Sequence, residues 1–281
     1  MTSEWTARAE AKRNAVMEAI PKKWILDRIP EAKQLPNCLD FVANQLNNEE
    51  RHITGLELEQ LIAAIASGEL TAREVTEAFA HRAAIAHQLV SIKLIQTNCL
   101  SEFMLDSALE HANYLDDHFA KTGKTIGPLH GVPVSLKDQF YVKGYETSVG
   151  FVAWLDGPAS EEDEGGVVPV LRAAGAVFHV KTNVPTSMMV CFILTQCAET
   201  ANNIIGWTTN PHNRNRSAGG SSGGEGSLLA QRGAALGIGS DIGTFSTNSG
   251  GSIRIPASVN GVWGLKSTPG RFSLQGARST V

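Results

Sequence analysis

The chain has 281 residues, enough for one large domain or two small ones. With 42% apolar residues, 19% charged residues and a net charge of −4, it reads as an ordinary globular chain, with no basic stripe of interleaved aromatics to mark a nucleic-acid surface. No apolar run is long enough to span a bilayer, the best being residues 188–195, so no transmembrane segment is expected.

Residues 4–20 predict a helix with Trp5, Ala9, Val16, Met17 and Ile20 as apolar positions, ended by Pro21. Pro30 and Pro36 break the segment that follows. Thr54 with Glu57 three residues on reads as a capping box ahead of Leu58, Leu61, Ile62 and Ile65 at helical spacing. Gly68 is the expected C-cap. Thr71 with Glu74 repeats the box before a helix to about Ala86. Residues 1–86 are therefore expected to form an N-terminal helical region. From there strand and helix patterns alternate: strand 89–95, helix 101–120, strand 132–136, helix 167–174, strand 176–181 and helix 227–232. That alternation predicts an α/β core with a mostly parallel sheet over residues 87–281. Cys38, Cys99, Cys191 and Cys197 fit no zinc spacing and are expected as free thiols of a reducing compartment. The charged start, residues 1–10, has no apolar signal core, and a cytoplasmic setting is expected.

Glycine concentrates at residues 219–251. Gly219-Gly-Ser-Ser-Gly-Gly ahead of a helix pattern could cradle a phosphate, but it lacks the Gly-Lys-Ser/Thr ending and the dinucleotide spacing. A flexible linker is disfavoured by Glu225 and the apolar run Leu228-Leu229-Ala230. Further motifs accompany it in order: Gly127-Pro-Leu-His-Gly-Val-Pro-Val-Ser-Leu-Lys-Asp-Gln139, Lys181-Thr-Asn-Val-Pro185, Ser252-Ile-Arg-Ile-Pro256 and Gly261-Val-Trp-Gly-Leu-Lys266. Their order and spacing over roughly residues 55–273 resemble the amidase signature family, with the fungal acetamidase-like branch the best fit.

The resemblance implies the amidase-signature fold, a central mixed, mostly parallel sheet flanked by helices, of which the N-terminal half is expected here. It also implies amide hydrolysis through an acyl-enzyme. Lys137 matches the lysine of the triad, Ser221 the serine held after a cis peptide, and Ser252 the nucleophile. Backbone N–H groups around Ile242, Gly243, Gly251 and Ser252 match the oxyanion hole, and Met188 is a candidate for the acyl pocket or the core. The chemistry suits these residue types. A serine hydroxyl needs a base in hydrogen-bond reach. A lysine serves only when neutral, so burial must lower its pKa, and the apolar run Val132-Pro-Val-Ser-Leu136 fits such a setting. No cofactor or metal is expected. The expected partner is a small-molecule amide, with a homo-oligomer also open. His130 is expected to be structural, and so are Asp241 and Arg254, a buried carboxylate and a guanidinium bracketing the loop.

Two seven-residue inserts depart from the family, at 191–197 and 244–250. The second separates Ile242 and Gly243 from Ser252. Both back-translate to begin near GT and end near AG, as retained introns would. The family continues for about as long again beyond the point where this sequence stops, which predicts uncovered apolar faces. Two alternatives therefore stand beside a stand-alone amidase: a noncatalytic fragment of that fold, and a glutaminase subunit of an amidotransferase.

Overall fold

The computed structural model describes residues 4–91, 95–96, 98–189, 199–241, 251–268 and 270–279, with 90–91 and 95–96 described as backbone only. The N-terminal stretch holds α1 (Glu4–Glu18), α2 (Leu39–Asn44), α3 (Asn48–Gly55), α4 (Leu58–Ala66) and α5 (Ala72–Gln88). The start of α5 is as expected. Glu74 N–H donates to Thr71 Oγ1 at 3.1 Å, and Thr71 N–H donates back to Glu74 Oε2 at 2.9 Å, so two otherwise orphaned donors are satisfied. The box expected at Thr54 is not formed. Thr54 lies inside α3, where its hydroxyl donates to Glu50 O at 2.7 Å. Asn47 with Glu50 caps α3 instead, and Gln60 Oε1 receives the Glu57 N–H at the start of α4. Helix α3 runs through Thr54 to Gly55, so the cap of α4 falls at Glu57 rather than at Thr54. Gly68 follows α4 at φ +76°, the left-handed conformation expected of a C-terminal glycine.

The segment expected as one strand at 89–95 contains two short ones, β1 (Val90–Ser91) and β2 (Ile95–Gln96), paired antiparallel. The helix expected from Ser101 begins later, as α6 (Leu105–Thr122), because the preceding residues form β3 (Leu100–Phe103). Pairing with a neighbouring strand overrides the helical reading there. Then come β4 (Pro133–Lys137), α7 (Val167–Ala173), β5 (Val177–Thr182), four short strands β6 (Ala201–Asn202), β7 (Gly206–Trp207), β8 (Thr209–Asn210) and β9 (Asn213–Ser217), α8 (Gly223–Ala230), β10 (Leu236–Ile238) and α9 (Arg254–Asn260). The main sheet runs β10–β4–β5–β3; its first three strands are parallel and β3 is antiparallel. This is the expected mixed, mostly parallel α/β sheet.

Both faces of the sheet are covered. Val134 and Leu136 of β4 pack with Phe178, Met104 and Val168 on one side. On the other, Leu100 and Val180 pack with Ala80, Ala83 and Ala84 of α5 and with Leu228 of α8. Burying each large aliphatic chain here contributes roughly 1.5–3 kcal/mol. Strand periodicity then sorts β4. Its odd residues Ser135 and Lys137 point to the side opposite Val134 and Leu136, toward α8.

Long-range contacts fasten the N-terminal segment to this core. Arg214, 2% exposed, donates to the carbonyls of Pro30, Leu35 and Leu89. Cys38 N–H donates to Pro211 O at 2.9 Å, and Lys12 pairs with Glu102 and Glu146. Cys38 and Cys99 are free and buried, as expected; Cys191 and Cys197 lie outside the described residues. Beyond α9, Trp263, Leu265, Phe272 and Leu274 are exposed. No helix among the described residues is long and apolar enough to cross a membrane.

Candidate active site

The three parallel strands share one C-terminal edge, the place where open α/β sheets gather functional groups. Lys137 ends β4, Thr182 ends β5 beside it, and Ser240 and Asp241 follow β10. Above this edge the chain turns through Gly219 and Gly220, at φ +78° and +62°, and enters α8. Such angles favour glycine. Side-chain space is absent here as well: a Cβ on Gly220 would come within 2.6 Å of Pro256, and one on Gly224 within 2.5 Å of the Asn183 backbone. These close approaches fix the loop against neighbouring segments, which excludes the flexible linker. The turn delivers Ser221 to Lys137. No cis peptide bond occurs among the described residues, so Ser221 does not follow the expected cis bond. The two left-handed glycines make the turn with trans bonds instead.

Lys137 Nζ lies 2.7 Å from Ser221 Oγ, 2.9 Å from Ser240 Oγ and 3.2 Å from Ser240 O. Lys137 and Ser221 are each 1% exposed. Burial pushes the Lys137 ammonium down to about 7, against the opposing pull of Asp241 and Glu225. Glu225 sits behind it on α8, receiving hydroxyl hydrogens from Ser135 at 2.5 Å and Thr182 at 2.8 Å, and burial pushes its carboxyl up to about 7. A second buried lysine offers a contrast. Lys181 faces Asp138 at 3.6 Å and donates to Glu146 O and Thr147 Oγ1, so its charge has a carboxylate partner. Lys137 Nζ instead touches only hydroxyl and carbonyl oxygens among the described residues.

Ser252 is tied to this pair through the backbone. Ser222 N–H donates to Ser252 O at 3.1 Å, one residue from Ser221. No hydroxyl-to-hydroxyl bond joins Ser252 and Ser221 among the described residues. The N–H groups of Gly251 and Ser252 donate to Asp241 Oδ1 at 3.1 and 3.2 Å. The Asp241 side chain is 2% exposed, as expected of a buried carboxylate, and its ion partner is Lys266 at 3.5 Å. Ile242 and Gly243 lie outside the described residues, as do both inserts. Met188 is buried at φ +56° after β5, leaving from the same sheet edge as Lys137. His130 has the structural setting expected: its Nδ1 accepts the Ile126 N–H at 3.1 Å, and burial lowers its pKa.

The sequence reading missed Gln139, Ser240 and Glu225 as neighbours of Lys137. Glu225 and Gln139 stood within quoted motifs without a role, and Ser240 carried only the signal of a hydroxyl one residue before Asp241. No group of three or more His, Cys, Asp or Glu able to hold a metal ion occurs among the described residues.

The Amidase family model matches residues 74–280. The chain belongs to the amidase family. It is 45% identical to an acetamidase of Emericella nidulans over 274 residues, covering 97% of this chain and 45% of that one. It is 41% identical to an acetamidase of Aspergillus oryzae, covering 100% of this chain and 47% of that one. Among solved structures it resembles a fatty acid amide hydrolase with a TM-score of 0.85 at 38% identity, covering 99% of this chain and 46% of the other. A peptide amidase from Stenotrophomonas maltophilia matches with a TM-score of 0.66 at 31% identity, over 79% of this chain and 42% of its own. The chain thus spans less than half the length of these amidase-family relatives.

Proposed function

We propose that the chain carries the catalytic serine and lysine machinery of an amidase, an enzyme that hydrolyses a carboxylic amide to an acid and ammonia or an amine. The observation that carries this reading is the buried Lys137 amine 2.7 Å from Ser221 Oγ, at a pKa of about 7. A neutral amine in that place is a base within reach of a hydroxyl. Ser252 Oγ attacks the amide carbonyl and passes its proton to Ser221, whose own proton moves to Lys137. Collapse of the tetrahedral intermediate expels the amine, which takes that proton back through Ser221. Water then repeats the sequence on the acyl-Ser252 ester and releases the acid. Lys137 is half neutral at about pH 7 and charged below it. The rate of acylation therefore rises as pH climbs through about 7.

A second reading rests on Asp241. Its carboxylate holds the Gly251 and Ser252 N–H groups, the donors an oxyanion would need. Each such donor is worth roughly a hundredfold or more in rate. In a noncatalytic form of the protein, Asp241 keeps both. The purified chain and Ser252→Ala should be exposed to a fluorophosphonate probe from pH 6 to 10, with acetamide hydrolysis followed in parallel. Acetamide comes first because two of the relatives are named acetamidases. Labelling that vanishes in Ser252→Ala supports the hydrolase; folded protein with no labelling at any pH supports the noncatalytic form.

A further inference from the structure

Lys137 has three oxygen neighbours, and their hydrogen-bonding capacities are not equal. A neutral lysine amine has two N–H bonds and one lone pair. Ser240 O is a carbonyl and can only accept, so it takes one hydrogen at 3.2 Å. Ser240 Oγ, at 2.9 Å, has a single hydrogen of its own. That hydrogen goes to Gln139 Oε1, an acceptor. Ser240 Oγ can then only accept from Lys137, and it takes the second N–H. The remaining direction on nitrogen is the lone pair, and Ser221 Oγ at 2.7 Å is the neighbour left to meet it.

We propose that Gln139 is a positioning residue for the triad: through Ser240 it turns the Lys137 lone pair toward Ser221. This deepens the amidase reading and rests on it. When the Ser221 O–H bond breaks, its proton forms the third N–H bond of Lys137 and the electron pair stays on Ser221 oxygen. Ser221 oxygen takes up the proton of Ser252, so one proton enters the lysine and one leaves the nucleophile. The bonds to Ser240 persist unchanged in the ammonium, which donates to all three oxygens. Gln139 is itself well anchored. It is 4% exposed, its carbonyl accepts the Arg278 N–H at 2.8 Å, and a turn from Lys137 O to Phe140 N–H at 3.0 Å fixes the backbone around it. The charged groups facing Lys137 are Asp241 and Glu225, and both remain in every variant below.

The test is the rate of fluorophosphonate labelling of Ser252 from pH 6 to 10 in the full chain and in Gln139→Leu, Gln139→Glu, Ser240→Ala and the Gln139→Leu/Ser240→Ala double variant, each checked for native thermal unfolding. Leucine frees the Ser240 hydrogen to capture the lone pair, and labelling should fall roughly tenfold, the value of one competing hydrogen bond. Removing that competitor in the double variant should restore several-fold of the loss. Glutamate offers an oxygen whichever way it turns. It should recover most of the rate at high pH, with the acid limb moved upward by its added charge. A residue that merely packs would give losses that add in the double variant. Additive losses, or a Gln139→Leu profile that overlays the wild type, overturn the assignment alone. A wild-type chain that is folded and never labelled overturns the amidase reading and this assignment together. Should Gln139→Leu fail to fold, the comparison of Gln139→Glu with the wild type decides: an acid limb that does not move overturns the assignment.

Discussion

The two serine-bearing segments of the site are built differently. Ser221 sits on a loop whose glycines press on fixed atoms: Gly223 against Thr200, Gly224 against the Asn183 backbone, Gly220 against Pro256. Thr200 and Asn260 also donate hydrogen bonds to the carbonyls of Gly220 and Ala218. Ser252 sits on a half-buried turn before α9, held by the Asp241 carboxylate, by a backbone bond from Ser222 and by the Ile255 N–H on Gly251 O. Close packing of its glycines makes the first segment stiff; in the second, one charged side chain, Asp241, takes both the Gly251 and the Ser252 N–H. The proton-transfer half of the site is thus preset by packing, and the half that must meet a substrate carbonyl is set by electrostatics.

The comparison can be broken most sharply at Lys137. Lys137→Ala removes the base from the packed half and should lower Ser252 labelling by about a hundredfold or more, without shifting the Gly251 and Ser252 amide resonances in an NMR spectrum. Next in size is a pair of glycine substitutions. The Cβ of Gly224→Ala meets backbone at 2.5 Å, which cannot give, so a loss of about 1–3 kcal/mol in unfolding free energy is expected. The Cβ of Gly251→Ala meets the Ile255 side chain at the same 2.5 Å, and that chain can rotate away. Its cost should be clearly smaller, and equal losses in a denaturant titration would erase the distinction between the two segments.

A subtler pair concerns charge. Asp241 and Glu225 both favour the protonated form of Lys137, Asp241 the more strongly. Replacing either by its amide removes negative charge from beside the lysine, Glu225 carrying its charge only above its own pKa of about 7, so the lysine loses its proton more readily. The acid limb of the labelling profile should move to lower pH in Asp241→Asn and by less in Glu225→Gln. A limb that moves upward, or the reverse ranking, would show that the two halves do not communicate through charge. The smallest effect expected is remote from both. Thr71→Ala opens the capping box of α5 and should cost about 1 kcal/mol in stability with no change in the pH profile.

Much of this architecture could be read from local pattern. The Thr71–Glu74 box, the strand around Val134 and Leu136 and the glycine turn are short-range features, each written within a few residues. The misreadings share a different cause. Residues 101–103 read as helix because their strand character comes from pairing with β5, about 80 residues away. Thr54 lost its cap role because α3 extends through it to Gly55, and the cap of α4 falls at Glu57. At the site, Lys137 and Ser221 were found because each lies in a dense motif. Ser240 and Gln139 were not, since their contact joins residues 101 positions apart and neither type is rare. Glu225 stood in plain view in the glycine loop, yet its role depends on Ser135 and Thr182 pointing at it from two separate strands.

The fastening of the N-terminal segment by Arg214 has a consequence for synthesis on the ribosome. The carbonyl of Pro30 waits for a guanidinium 184 residues further along the chain. At roughly 5–20 residues per second, that partner leaves the ribosome on the order of ten to forty seconds later. The guanidinium anchor of the Pro30 and Leu35 carbonyls therefore forms late, after Val42 and Leu46 have been able to meet Ile85 and Leu89.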